Sequence, residues 1–348
     1  MQIPRKSPGL YDIWPLNPVR SSLILISSLL LLSISWTFAV PASAGTIHIS
    51  ILKVGDIRND PINGLKAALV SHAEEEHHSY SYDIKDALGD RTILPRLAAE
   101  IIADKPDLAI AAGGIEADAL HAASAGTAVP VVFLSVSSAV DRNIVASMVS
   151  SGNNLTGIDT GDTQLTAKRL WFIKKLLPKA KKVLCFHVPS IVPSVQSLQI
   201  AREAAKELEL ELTVVEVETE DDIRAAVGKL SRTSTDVILQ FPVAVTDRAT
   251  LPIIFPQATT EMIPIFGYGE NSLESGAFAS YAGSRFANGQ QAARLVHKII
   301  NGILPKDIPI ETPDKLELII NRAMVDKLGL RLPDRAWRMA DKVIDLNF

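Results

Sequence analysis

Three groups of residues in this chain have types and spacings that could do chemistry. Ser135, Ser137 and Ser138 close the apolar run Val129 to Val136, and a hydroxyl at a strand end can attack a carbonyl or donate to a ligand. The recognisable α/β-hydrolase form of nucleophilic serine chemistry has a Gly-x-Ser-x-Gly turn and a positioned histidine base. No such turn surrounds these serines, and the nearest histidine in sequence, His121, falls on an expected helix. Gly113 and Gly114 stand between a strand and a helix that begins near Glu116, where free amides favour an anion such as a carboxylate. Neither G-x-G-x-x-G nor G-x-x-x-x-G-K-S/T occurs, and Glu116 would oppose a phosphate, so nucleotide binding has no motif behind it.

The histidines carry no metal pattern. His77 and His78 follow Glu74 to Glu76 on a polar helix end, and no H-x-x-x-H, H-E-x-x-H or C-x-x-C spacing exists. His187 ends a strand and joins the candidate site. No metal and no cofactor is expected. Asp56, Arg58, Glu270 and Arg285 lie near strand ends or helix starts, and an arginine among them suits a ligand carboxylate held bidentately. Phe241, Tyr268 and Tyr281 could wall an apolar ligand or pack as ordinary core.

The elements that must position these residues alternate along the chain. Apolar runs at Ile47 to Val54, Ser79 to Ile84, Leu108 to Ala112 and Val129 to Val136 read as strands, with helices between them. Asp60-Pro61 suits a helix start, with that helix running to about His72. The second half repeats the rhythm: strands at Lys182 to Phe186, Leu212 to Val217, Val237 to Gln240, Ile265 to Tyr268 and Ala277 to Tyr281, and a last long helix from Phe286 to Asn301 with Gly302 as its cap. Strands separated by helices imply right-handed crossovers and parallel sheets covered on both faces. The fold class is therefore α/β, with two lobes joined near residue 155. Ligands of parallel sheets bind beyond the carboxyl ends of the strands. Those ends fall at Leu52 to Arg58, Ala112 to Glu116, Ser135 to Ala139, Phe186 to Ser190, Phe241 to Val243 and Tyr268 to Glu270. The candidate ligand-binding residues are Asp56, Arg58, Gly113, Gly114, Ile115, Ser137, Ser138, Thr160, His187, Ser190, Pro242, Tyr268 and Tyr281.

Composition bounds the class. Arg5, Lys6 and Arg20 precede the uncharged run Leu23 to Val40 and the small-residue site Pro41-Ala42-Ser43-Ala44-Gly45, the order of a secretory signal cleaved after Ala44. No cysteine adjoins that site, which excludes a lipoprotein anchor. An uncleaved anchor is the alternative, since the run nearly reaches membrane-spanning length. The remaining 304 residues carry a net charge of −6 and no basic tract, so nucleic acid and anionic membrane surfaces are not expected partners. Cys185, the single cysteine, sits in the apolar run Val183 to Phe186 and reads as a buried, inert thiol.

Residues 150 to 159, SSGNNLTGID, join the halves. Asn154-Leu155-Thr156 is a formal glycosylation sequon, but the stretch reads better as the first hinge segment, with Leu155 to Ile158 as a crossing strand and Asp159 and Thr160 opening toward the cleft. Valine in place of Gly157 is expected to perturb lobe closure more than the fold.

Several stretches together resemble the ABC-transporter substrate-binding family related to tryptophan- and tyrosine-binding periplasmic proteins. They are Lys105 to Leu108, Val129 to Phe133, Gly152 to Gly157, Leu176 to Val183, Ile263 to Gly267, Gly276 to Tyr281 and Gly289 to Ala293, ending with Leu318 to Asn321 and Leu328 to Leu330. The resemblance implies a type I periplasmic-binding fold, two Rossmann-like lobes with parallel sheets joined by a multi-strand hinge. After the signal at 1–44 it places lobe 1 at 45–157 plus about 273–305, lobe 2 at 158–272 plus about 306–335, and a tail at 336–348; Asp334 to Phe348 is expected as a peripheral helix. The departures fall at the ligand loops: Gly55 to Arg58 stands for a His-Pro, Gly113-Gly114-Ile115 for a Gly-Thr-Pro, Ser138-Ala139 for an Asp-Pro, and Val243 to Val245 for an Asp-Asn after Pro242. Of a Tyr-Gly-x-Asp-Tyr segment only Tyr281 remains. The implied function is a monomeric, non-enzymatic periplasmic solute-binding protein. It would capture an amino acid or similar carboxylate-bearing molecule for an ABC permease and its ATPase. The alternative is a ligand-sensing subunit for a membrane signalling partner, and a hydrolase using Ser137 or His187 lacks a constellation.

Overall fold

The computed structural model describes residues 45–76 and 78–348; the leader, with its expected cleavage site, lies outside them. The chain opens with β1 (Thr46–Lys53), α1 (Asn59–Glu76), β2 (Ser79–Asp86), α2 (Leu94–Ala103), β3 (Leu108–Ala111), α3 (Gly114–Ser124), β4 (Val131–Val136) and β5 (Leu155–Asp159). These strands form one parallel sheet in the order β2-β1-β3-β4-β5. Side chains of a strand alternate between faces, so a sheet covered on both sides needs apolar residues at nearly every position. The central strands meet that demand: Leu108, Ile110, Val132 and Leu134 pack on the α1 side, while Ala109, Ala111, Val131 and Phe133 pack against α2 and α3.

The second half runs α4 (Thr166–Leu176), β6 (Lys182–His187), α5 (Val192–Glu207), β7 (Glu211–Glu216), α6 (Glu220–Val227), β8 (Val237–Leu239), α7 (Ala244–Ala249), α8 (Phe255–Thr260), β9 (Ile265–Gly267), α9 (Glu270–Glu274) and β10 (Ala279–Ala282). It continues with α10 (Arg285–Ile300), β11 (Glu317–Asn321), α11 (Arg322–Lys327), α12 (Asp334–Met339) and β12 (Lys342–Ile344). The second sheet has the order β12-β11-β10-β9-β8-β6-β7, with every pair parallel except β10 with β11. The expected two-lobed α/β class is the observed one.

Helix α10 leaves the second sheet and covers the first, lying backbone-to-backbone on α1. A Cβ on Gly64 would overlap the carbonyl oxygen of Phe286, and one on Gly289 would overlap that of Pro61. Ala292, Ala293, Leu295 and Val296 then complete the core facing Ile49, Leu65 and Leu69. The helix stops where expected, with Gly302 at φ 88° and the amide of Ile303 donating to Lys298 O at 3.0 Å.

Three departures have physical reasons. Helix α1 begins at Asn59, after a 3-10 turn at Asp56–Arg58, so Asp60 sits inside its first turn rather than capping it. Residues 244–260 form two short helices joined by a π-helical turn at Thr250–Ile254, a region whose Pro252 and Pro256 hid any helical period. The tail is a six-residue helix followed by strand β12 and then by Leu346, whose backbone exchanges hydrogen bonds with the Asn321 side chain at 3.0 and 3.1 Å.

The segment 150–159 also departs in detail. Asn154 turns its side-chain amide onto Val129 O, and Gly157 sits inside β5 in register with Phe133. A Cβ there would overlap both the carbonyl oxygen and the ring of Phe133. The close approach, not pivoting, demands this glycine, so valine strikes the fold itself, contrary to the expectation from sequence.

Candidate functional site

Ten strands, β1 to β10, deliver their carboxyl ends to one cavity of about 830 Å³. From the first sheet come Val54 to Arg58, Asp86 to Arg91, Gly114 to Asp118, Ser135, Ser137 and Thr160; from the second come Val188 to Pro193, Glu218, Pro242 to Arg248, Tyr268 and the segment Ala282 to Asn288. Parallel strands force this convergence, because each leaves its sheet at the same edge.

Three chain crossings join the two sheets, and the first two reach the cavity through Thr160 and through Ala282 and Gly283. The first follows β5: the amide of Asp159 donates to Glu311 O at 2.8 Å, and that of Glu311 returns to Gly157 O at 3.0 Å. The second is Ala282 to Ser284, where Gly283 lies so close to Pro313 that a Cβ would come within 2.7 Å of the ring. The third is the Glu311 to Asp314 return, clamped by Arg294, which reaches Glu311 at 2.7 Å and Asp314 at 2.8 and 2.9 Å. Buried Asp159 accepts from the amides of Gly161 and Ala139 at 2.9 and 2.8 Å, yet its desolvation still pushes its carboxyl upward.

Most charges on the walls are paired. Glu116, with no exposed surface, accepts from the Val54 amide and from Arg58 Nε, each at 3.0 Å. It is a strut under the loop after β1, and it occupies Arg58. Arg142 pairs with Asp118, and Lys53 holds Asp56 and Asp86 at 3.2 and 3.0 Å. Arg169 is fully enclosed and donates to Asp162 Oδ1 at 2.7 Å, to Tyr281 O at 2.9 Å and to Tyr268 O at 3.3 Å. Burial lowers its guanidinium from the usual range while Asp162 opposes that shift. The Tyr268 phenol donates to Asp247, whose desolvation carries its carboxyl up to about 6 despite the charges of Arg285 and Arg58 nearby.

Of the residues picked from sequence, Asp56, Arg58, Gly114, Ile115, Ser137, Thr160, Ser190, Pro242 and Tyr268 line the cavity. Gly113, Ser138, His187 and Tyr281 stand behind the wall. Gly113 makes room for the Arg58 guanidinium, and Ser138, at φ 61°, donates to Thr163 at 2.9 Å. His187 Nδ1 meets the Ser194 hydroxyl at 3.0 Å, and Tyr281 packs on Phe172 with centroids 4.7 Å apart. The Ser137 hydroxyl pairs with that of Thr160 at 2.9 Å. Cys185 is buried, and its desolvated thiol is pushed up to about 12.

The description "ABC transporter substrate binding protein" belongs to a family whose model matches residues 46–344. The chain belongs to that family. Over 268 residues, 77% of this chain and 76% of the relative, it is 26% identical to the tyrosine-binding protein of Clostridioides difficile strain R20291. Its fold is similar to that of a conserved domain protein from Vibrio cholerae, with TM-score 0.74 and 22% identity, covering 85% of this chain and 99% of the other. It is also similar to an ABC domain from Streptococcus pneumonia in complex with L-Trp, with TM-score 0.73 and 19% identity, covering 86% and 100% of the two chains. This substrate-binding protein is a binder and not an enzyme, and its two lobes have the type I periplasmic-binding arrangement of a ribose ABC transporter protein from Conexibacter woesei, TM-score 0.56 with 14% identity over 86% of this chain and 98% of that one. Among the described residues no helix is long and apolar enough to cross a membrane.

Sequence reasoning passed over Asp86 to Arg91 after β2, Arg142, Asp162, Glu218 and Asn288, all of which line this substrate-binding protein's cleft. The signal for the first and fourth was available: each directly follows a strand end, at β2 and β7.

Proposed function

We propose that this protein captures a small carboxylate-bearing solute, an amino acid or a similar molecule, between its lobes and delivers it to a membrane permease driven by an ATPase. The observation that carries the reading is the convergence of strand ends from both sheets on one cavity, with three chain crossings joining the sheets. A solute touching both walls favours the closed arrangement by its contacts with each, and closure is what a permease can recognise. The family match supports the transport setting, and relatives that bind tyrosine or hold L-Trp support an amino-acid-like solute. The ligand-contacting residues are the nine sequence-picked cavity residues above, joined by Arg91, Asp247, Arg285 and Asn288.

The basic leader, apolar run and small-residue site support a periplasmic protein cleaved after Ala44, and our reading has it work there as a monomer. A thermal-shift panel of amino acids, peptides and organic anions on exported protein tests the solute reading; folded protein that no compound stabilises sinks it. The mass of that protein tests the leader, with Gly45 as the expected first residue. Co-purification with a permease, rather than a signalling receptor, is the expected partner result.

A further inference from the structure

We propose that the N-terminus of α10 grips the carboxylate of a ligand that carries no ammonium group, through Arg285 and Asn288. The proposal rests on the solute-binding reading and narrows its ligand. Helix α10 begins at the wall of the cavity, and its cap residue, Ser284, is extended and places no side chain on the helix's free amides. The Ser284 hydroxyl turns instead to Glu270 at 3.4 Å. Aligned peptide dipoles and open amides at that end favour an anion.

Two side chains point to the same conclusion independently. Asn288, one turn into the helix, is 2% exposed, lines the cavity, and makes no side-chain hydrogen bond with any described residue. Its amide atoms are not sealed off from the cavity, so a ligand there can supply the partner that the protein does not. Arg285 also lines the cavity and forms no ion pair with any described residue, and its Nη1 is buried with no acceptor. Asp247 and Glu274 feel its charge without bonding to it. A planar carboxylate fits the vacancy in hydrogen bonding: two parallel N–H bonds from the guanidinium fork and a third from the Asn288 amide.

The absence of an ammonium follows from the carboxylates of the cavity. Asp56 and Asp86 are held by Lys53, Asp118 by Arg142, Asp162 by Arg169, Asp247 by Tyr268 and Glu218 by Ser190. Every acidic side chain on the wall already has a donor, whereas Arg91 and Arg285 lack acceptors among the described residues. The open capacity is for an anion. The uncharged remainder of the ligand meets Val54, Ile57, Leu88, Val188, Val243 and Val245, a surface for an apolar body.

Calorimetric titration of the full mature protein with matched pairs tests this. The pairs are L-leucine with 4-methylpentanoate and L-tyrosine with 3-(4-hydroxyphenyl)propanoate, each differing only by the ammonium, and inorganic phosphate is the third probe. The deaminated acid of at least one pair is expected to bind more tightly than its amino acid. Arg285→Gln and Asn288→Leu are expected to weaken it, Arg285→Gln by roughly 10- to 100-fold, the range for losing a charged hydrogen-bonding partner. Arg285→Lys, which keeps the charge but loses the fork, should recover only part of that, and a full recovery overturns the bidentate grip. Tighter binding of the amino acids overturns the ammonium-free class, and tighter binding of phosphate overturns the carboxylate. Wild-type affinity in Arg285→Gln overturns the α10 subsite alone. Wild-type protein that binds none of the organic probes overturns this ligand class and its α10 subsite, while the solute-binding reading itself falls only if the thermal-shift panel also gives nothing.

Discussion

Arg169 and Asp162 form a 2.7 Å ion pair in which the guanidinium has no exposed surface. The same arginine donates to the carbonyls of Tyr268 and Tyr281, so one side chain ties the first crossing to the ends of β9 and β10. Removing one partner of a buried pair leaves the other charge without compensation. Arg169→Met is expected to lower unfolding free energy by about 3–5 kcal/mol, read from the midpoint of a urea transition. Arg169→Lys should recover little, because one ammonium cannot reach the four acceptors that the planar fork serves, the Asp162 carbonyl and carboxylate and the carbonyls of Tyr268 and Tyr281.

Gly157 makes a different prediction. With the Phe133 carbonyl and ring where its Cβ would lie, Gly157→Val must separate β4 from β5 or displace Phe133 from the core. A loss of at least about 2 kcal/mol in thermal or chemical unfolding is expected, the scale of overpacking in a dense interior. Unchanged stability with altered lobe closure would restore the pivot role that the sequence suggested.

Asp247 gives a pH signature. Its carboxyl is pushed from the ordinary value of 3.8 up to about 6, chiefly by desolvation. Between those values the folded protein holds a proton that the unfolded chain releases, so stability rises as pH falls through 6 and levels off below about 4. Asp247→Asn should flatten that slope and add up to about 2 kcal/mol at pH 7.5, where the wild type keeps a charge in a poorly solvated place. Melting temperatures across pH 4 to 8 check both parts.

The Cys185 thiol should be silent. Burial keeps it protonated, and the thiolate is the reacting form. Ellman's reagent is expected to give no colour with native protein over hours and one equivalent after denaturation.

Much of the scaffold was legible because its signal is local. The strands β1, β3 and β4 are apolar runs bounded by turns, and Gly302 marks a helix end through backbone geometry alone. The 244–260 region was not, since its prolines contradict helix locally and only burial of Ile253, Ile254 and Ala258 against the second sheet's core sustains it. The cleft divided the same way. Arg58 and Tyr268 follow strands directly, so topology alone placed them. Asn288 and Arg142 owe their positions to how α10 lies on α1 and how residues 137–150 fold back, relations between parts far apart in sequence. Conversely His187 follows a strand yet turns to Ser194, because a strand end fixes a residue's place but not which neighbour its side chain prefers.

The exchange of α10 between sheets governs how this molecule can be made. All strands of the first sheet have been synthesised by Asp159, but the face that Ile49 shares with Leu65 and Leu69 of α1 is only partly covered until residues 285–300 emerge. The second sheet waits longer still, since β11 and β12 come later. Neither lobe can settle while the ribosome is still partway along the chain, and apolar surface exposed for that long invites a chaperone. The native state therefore becomes available only when residues as far along as β12 have been produced.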